Sequence, residues 1–260
     1  MIKKIVVDAY ASAESDSAVH LANKKSPDYK VIFICILVAF SLTMIKYLGD
    51  VKFMLSILGH GQFEDFMTIN PNSQLYRLIY WVGVMIVFYF IVPVLVIKFL
   101  FKESLSDYGL RFKGAFKDYK LYVIMLCVMI PLVLFFSRTQ SFQERYPFYD
   151  MSGDKSYYPN FIIWEVFYFL QFFALEFFFR GFMVHGTKQR FGFYSVVVMT
   201  IPYCMIHFGK PFPETIAAII AGIVLGTLSL KSKSIWLGVA IHYSVAITMD
   251  VCALYQKGML

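Results

Sequence analysis

Long apolar runs separated by short polar breaks follow one another along most of the chain. A helix needs about 20 apolar residues to cross a bilayer, and seven runs come close to or exceed that length. They cover residues 31–48, 76–101, 119–137, 161–187, 193–208, 212–230 and 234–254. Glycine, proline and charged residues fill the breaks, as in Asp107-Tyr108-Gly109 and Gly209-Lys210-Pro211. The pattern predicts an all-α fold, a polytopic transmembrane helical bundle with about seven spans, within a range of six to eight.

The composition supports one membrane domain with a polar N-terminal segment. Of the 260 residues, 59% are hydrophobic and only 16% are charged, a balance that excludes a soluble globular domain. Residues 1–30 are polar and lack the pattern of a signal peptide, so we expect a cytoplasmic tail. Residues 31–137 then form N-terminal transmembrane helices, and residues 161–254 form a C-terminal transmembrane core.

The positive charges indicate the orientation of the protein in the bilayer. With the N-terminus inside, 15 of the 24 lysines and arginines lie on the cytoplasmic side. The positive-inside rule therefore predicts an integral, multi-pass protein with a cytoplasmic N-terminus. The net charge of +7 is spread over the loops and is not clustered with aromatic residues, so we expect no nucleic-acid partner. The lipid bilayer is the expected surrounding.

An acid interrupts the fourth apolar run, where Glu176 stands in Ala-Leu-Glu-Phe-Phe-Phe-Arg-Gly. An ionised carboxylate in hydrocarbon costs several kcal/mol unless it is paired, and such residues are typically functional. Arg180 follows four residues later and shares the face of the helix. The pair is therefore either a structural ion pair or part of a site.

Two histidines favour the interpretation that Glu176 and Arg180 are part of a functional site. His207 ends the fifth apolar run and His242 lies in the last one, so an acid and two imidazoles stand on three separate apolar segments. Membrane bundles build buried sites from such side chains on facing helices. A single histidine in a span is also explained by a hydrogen bond to a neighbouring helix.

Two chemistries remain open for these residues. Glu176, His207 and His242 form a ligand set that catalytic zinc uses, with one position left for water. Without a metal, Glu176 can act as general base on a water, while a histidine or Arg180 stabilises the oxyanion. The expected cofactor is therefore none or one zinc ion.

Glu176 and His207 can meet only if the helices differ from the apolar runs. The fourth helix must continue through Phe182 towards Lys188, which places Glu176 near the middle of the bilayer, and the fifth helix must be short or tilted. In the sixth run, Ala218, Gly222 and Gly226 form a stripe of small residues, which predicts close packing against another helix.

The three segments together resemble the CAAX protease and bacteriocin-processing family of intramembrane endopeptidases, also called the CPBP or Abi family. Its motifs read Glu-Glu-x-x-x-Arg, Phe-x-x-x-His and His-x-x-x-Asn, and the chain matches them in order at Glu176 to Arg180, at His207 and at His242. The resemblance implies that residues 161–254 are a catalytic core. Glu176 would activate water, both histidines would assist, and Arg180 would orient the glutamate.

The chain departs from these motifs at three positions: Leu175 replaces the first glutamate, Tyr203 the phenylalanine, and Ala246 the asparagine. Asp250 lies two turns after His242 and substitutes for the asparagine only if helix packing directs it into the site. Glu165 precedes Glu176 by about 16 Å along the helix, and we expect it near the outer interface.

The sequence thus predicts an intramembrane protease that hydrolyses a peptide bond of a membrane-associated, lipid-anchored or sorting-signal substrate. The resemblance implies a membrane-anchored protein or peptide as partner, and we expect a bacterial inner membrane as the location. A non-catalytic immunity or scaffold protein of the same fold is the alternative, supported by Leu175 and Ala246. A proton-coupled transporter ranks last, because no internal repeat is evident.

Overall fold

A computed structural model describes residues 2–23, 25–59, 61–151 and 157–260. Within these ranges the chain forms helices and no strand, which confirms the all-α class. Its main helices are α1 (Ile2–Ala22), α2 (Tyr29–Leu48), α3 (Val51–Leu58), α4 (Ser73–Phe101), α5 (Tyr119–Phe136), α6 (Gln140–Arg145), α7 (Pro159–Phe191), α8 (Tyr194–Met205), α9 (Phe212–Ser232) and α10 (Trp236–Gln256). Short helical turns lie at Gln62–Glu64, Asp65–Ile69 and Leu105–Tyr108.

Six of the helices in the described part of the chain, α2, α4, α5, α7, α9 and α10, are long and apolar enough to cross a membrane. The fifth predicted span is α8, an apolar helix of only 12 residues. The polytopic helical bundle is therefore confirmed, with six full-length helices and a shorter seventh.

The N-terminal segment that was expected as a polar tail is largely helical. Ile5, Ala9 and Ala13 recur every four residues along α1 and are buried. That face packs against the end of α7 and against α9. The Glu14 carboxylate accepts a hydrogen bond from the backbone N–H of Phe193 at 3.0 Å, so α1 holds the junction between α7 and α8.

Helix α7 is the central element of the bundle. It runs for 33 residues and continues past Lys188, as predicted from the sequence. Glu176 lies at its centre. Every residue of Phe177–His185 is buried, and this stretch is π-helical. A helix that is apolar on all sides is enclosed by other helices, and π-helical turns inside an α-helix are frequent at functional sites.

The stripe of small residues on α9 packs against α8 as predicted. A Cβ atom added to Gly222 would lie 2.8 Å from the Thr200 side chain, and one added to Gly226 would lie 2.7 Å from Val196. Only glycine allows this approach of the two helices. The short α8 is thereby held beside α7, with His207 just beyond its end.

Replacing Gly226 with valine is expected to destabilise the fold by about 1–3 kcal/mol, because the new side chain overlaps Val196 and Met199. Gly83→Val on α4 is the matched control, since an added Cβ there meets no atom within 4 Å. Thermal unfolding of both variants in detergent micelles measures the difference. Equal melting temperatures would show that α8 and α9 do not pack in this way.

Candidate active site

Glu176 and Arg180 form a buried ion pair within α7. Arg180 Nη1 lies 3.0 Å from Glu176 Oε1, and both side chains are completely buried. Arg180 Nη2 donates to the Ala221 carbonyl oxygen on α9 at 3.4 Å. The guanidinium carbon lies 3.8 Å from the centre of the Tyr203 ring on α8, a cation–π contact. Groups from three helices therefore compensate the arginine charge.

His242 joins this pair from α10. Its Nδ1 lies 2.9 Å from Glu176 Oε1. A carboxylate oxygen only accepts hydrogen bonds, so Nδ1 carries the hydrogen and donates it. The imidazole ring packs against the Phe172 ring with 4.5 Å between their centres. The His242 side chain is 16% exposed, and it is thus the accessible member of the group.

The second oxygen of the Glu176 carboxylate has a different environment. Oε2 is buried and has no hydrogen-bond partner among the described residues. It lies beside Gly238, where an added Cβ would come within 2.7 Å of it. Gly238 precedes His242 by one turn of α10 and therefore leaves room at this oxygen. Gly238 was not among the predicted site residues, although its spacing from His242 places both on one face of the helix.

His207 lies one step further from the carboxylate. It is buried beyond the end of α8, and its Nδ1–H donates to the Tyr203 carbonyl oxygen at 2.8 Å. The ring centres of His207 and Tyr203 are 4.9 Å apart, and those of Tyr203 and His242 are 6.3 Å apart. The structure therefore brings Glu176 into direct contact with Arg180 and with His242, and Tyr203 lies between His207 and His242.

The predicted zinc ligands do not form a metal-binding group. Among the residues that the structure describes, no three histidine, cysteine, aspartate or glutamate side chains come close enough together to hold an ion. Glu176, His207 and His242 thus surround the same region without forming a coordination sphere. Glu176 Oε2 is the carboxylate oxygen that has no hydrogen-bond partner among these residues.

Two of the residues that depart from the family motifs have side chains that pack against apolar neighbours. Leu175 and Ala246 are both buried in apolar clusters. Asp250 does not enter the site, because its carboxyl group contacts Glu165 and accepts a hydrogen bond from Trp164 Nε1 at 3.4 Å. Glu165 is also buried within the bundle, near the start of α7. Asp250 therefore does not substitute for the missing asparagine.

The site is closed to the surroundings on most sides. Two surface cavities, of about 390 and 310 Å³, lie elsewhere, one at the ends of α5 and α10 and one beside residues 111–118 and 231–233. Neither contains Glu176, Arg180, His207 or His242. Of the four residues, His242 has a partly exposed side chain, so the site is open to its surroundings on that side.

Comparison with known proteins supports a hydrolytic class for this bundle. Residues 158–248 match the model of the family described as type II CAAX prenyl endopeptidase Rce1-like. The matched region includes Glu176, Arg180, His207 and His242 and leaves out the N-terminal helices. The match confirms the family resemblance and indicates a CAAX-type intramembrane endopeptidase. Searches of curated proteins and of solved structures gave no match.

The ion pair predicts a strong coupling between two substitutions. Arg180→Gln is expected to destabilise the protein by about 3–5 kcal/mol, because it leaves the buried Glu176 carboxylate without its cation. Adding Glu176→Gln removes that charge and is expected to recover part of the loss. Unfolding of the two single variants and the double variant in detergent gives the coupling energy. Purely additive effects would be inconsistent with the ion pair.

Proposed function

We propose that this protein is an intramembrane endopeptidase in which Glu176 is the general base. The observation that carries the proposal is the unequal environment of its two carboxylate oxygens. Oε1 is held by Arg180 and His242, whereas Oε2 is buried with no hydrogen-bond partner in the described part of the chain. The first set of contacts favours the ionised form and fixes its orientation, and the second leaves a basic oxygen for water.

The reaction proceeds by attack of water on the scissile carbonyl carbon. Glu176 Oε2 takes one proton from the water as its oxygen forms the new C–O bond, and a tetrahedral intermediate results. Collapse of the intermediate breaks the C–N bond, and the proton on Glu176 passes to the leaving amine. The first products are a carboxylic acid, which keeps the second proton of the water, and a free amine. Transfer of that proton from the acid to the amine gives a carboxylate and an ammonium group, and the glutamate is again ionised.

His207 and His242 have different hydrogen-bond partners, and we infer different roles for them. The Nδ1–H of His207 is occupied by the Tyr203 carbonyl, so the neutral ring offers Nε2 as an acceptor for a hydrogen of the attacking water. His242 donates to Glu176 and holds the carboxylate. The buried Arg180 Nε has no hydrogen-bond partner among the described residues, and we assign it as donor to the oxyanion.

The substrate is a membrane-associated polypeptide. The matching family is described by its action on prenylated CAAX proteins, so a prenylated C-terminal tail is the first substrate to test. A leader peptide or a C-terminal sorting anchor in a bacterial inner membrane is the second. With the N-terminus in the cytoplasm, as the positive charges favour, α7 would cross the bilayer with the active site midway along it.

Replacing Glu176 with glutamine is expected to lower the cleavage rate by about 10²–10⁴-fold, because the amide cannot take the proton from water. The assay uses the full chain in proteoliposomes with three reporters: a farnesylated CAAX peptide, a leader-peptide fusion and a C-terminal anchor fusion. Glu144→Gln, on the exposed surface of α6, serves as the control and is expected to cleave as the wild type does. Turnover by a folded Glu176→Gln protein would rule out this mechanism.

Chelation tests the choice between the metal-free and the zinc mechanism. Because the described residues do not group three ligands, cleavage is expected to continue after treatment with 1,10-phenanthroline, and purified protein should contain little zinc. Loss of cleavage that added zinc restores would instead support the metal-dependent alternative.

A non-catalytic immunity or scaffold role is the competing function, favoured by the burial of Leu175 and Ala246 in apolar clusters. The triple replacement of Glu176, His207 and His242 separates the two roles. If the protein is a protease, the triple variant loses every effect that depends on cleavage. If it is an immunity or scaffold protein, cells that carry the triple variant remain protected as cells with the wild type are.

A further inference from the structure

A second pair of acids connects the same two helices as the active site. Glu165 on α7 and Asp250 on α10 are 7% and 0% exposed, their carboxyl groups are neighbours, and one oxygen of each is buried without a partner among the described residues. Neither residue takes part in the proposed reaction. Two neighbouring acids that are both buried in the bundle need a physical explanation of their own.

The neighbours of this pair donate hydrogen bonds but bring no positive charge. Tyr243 Oη donates to Glu165 Oε2 at 3.2 Å, and Trp164 Nε1 donates to Asp250 Oδ2 at 3.4 Å. The other two oxygens, Glu165 Oε1 and Asp250 Oδ1, are buried and receive no hydrogen bond from a described donor. Within the described ranges, no lysine, arginine or histidine forms an ion pair with either acid.

Two ionised carboxylates cannot remain in contact under these conditions. Each would lose its hydration, and the two negative charges would repel each other in a medium of low dielectric constant. Carboxyl pairs in proteins resolve this conflict by holding one proton between them. The proton turns one of the two free oxygens into a donor for the other.

The position of the pair gives it a structural consequence. Helices α7 and α10 are antiparallel here, because Glu165 precedes Glu176 by 11 residues and Asp250 follows His242 by 8 residues. The two contacts are therefore separated by about 12–16 Å along the helices. One contact leaves two packed helices free to rotate or slide, whereas two contacts fix their register.

We propose that Glu165 and Asp250 share one proton, and that this carboxyl pair positions α10 against α7 so that His242 meets Glu176. The pair is a positioning element, since it touches neither substrate nor water in the reaction. The effect of the carboxyl pair on cleavage rests on the proposed function. The shared proton is independent of that function.

Infrared spectroscopy of the full chain in nanodiscs at neutral pH tests the shared proton without any substrate. The wild type is expected to show the C=O band of a protonated carboxyl group, and Glu144→Gln should leave it unchanged. Glu165→Gln and Asp250→Asn should each shift or remove the band, and the double variant should lack it. A wild type without the band, or a double variant that retains it, overturns the proposal.

Cleavage kinetics test the positioning role. Asp250→Asn keeps a hydrogen-bond donor opposite Glu165 and is expected to retain most of kcat, whereas Asp250→Ala is expected to lower kcat by up to about 10²-fold with little change in KM. Val251→Ala, at an exposed position of α10, controls for the loss of side-chain volume. Wild-type kcat in Asp250→Ala, or an equal loss in Asp250→Asn, overturns the role. If Glu176→Gln still cleaves, the proposed function fails but the infrared result stands.

Discussion

The charge of Glu176 is the constraint on which the arrangement of the C-terminal helices depends. A fully buried carboxylate costs several kcal/mol unless other groups replace its hydration. Arg180 supplies the opposite charge from the same helix, and His242 supplies a hydrogen bond from α10. The arginine is then buried in turn and requires the Ala221 carbonyl and the Tyr203 ring from α9 and α8. One ionised group thus sets the mutual positions of four helices.

The helix lengths follow from the same requirement. Because Glu176 lies at the centre of a 33-residue helix, its partners must reach the middle of the bundle. The short α8 allows His207 to do so from a turn, and glycines on α9 let α8 approach closely. On α10, Gly238 leaves space at the carboxylate where any other side chain would collide with it. Small residues and a short helix therefore make room for the charged groups of the site.

Features that repeat along one helix could be predicted from the sequence. The apolar runs predicted the helical bundle, and the four-residue spacing of Glu176 and Arg180 predicted the ion pair. Both predictions depend on helix periodicity alone. Contacts between helices depend on rotation and register, which periodicity does not determine. For this reason Gly238 and the Glu165–Asp250 contact were missed, and the zinc set of Glu176, His207 and His242 was left open. The helix α1 was missed because its buried face consists of few, mostly small residues.

A single-turnover experiment distinguishes a role of Glu176 in substrate binding from a role in the chemical step. Wild type and Glu176→Gln are compared for binding of a membrane-embedded substrate and for the rate of the first cleavage. The account predicts that the variant binds the substrate with nearly unchanged affinity and does not cleave it, because the amide preserves the shape of the side chain without its basicity. First-turnover cleavage at the wild-type rate by a folded, substrate-bound Glu176→Gln protein would contradict it.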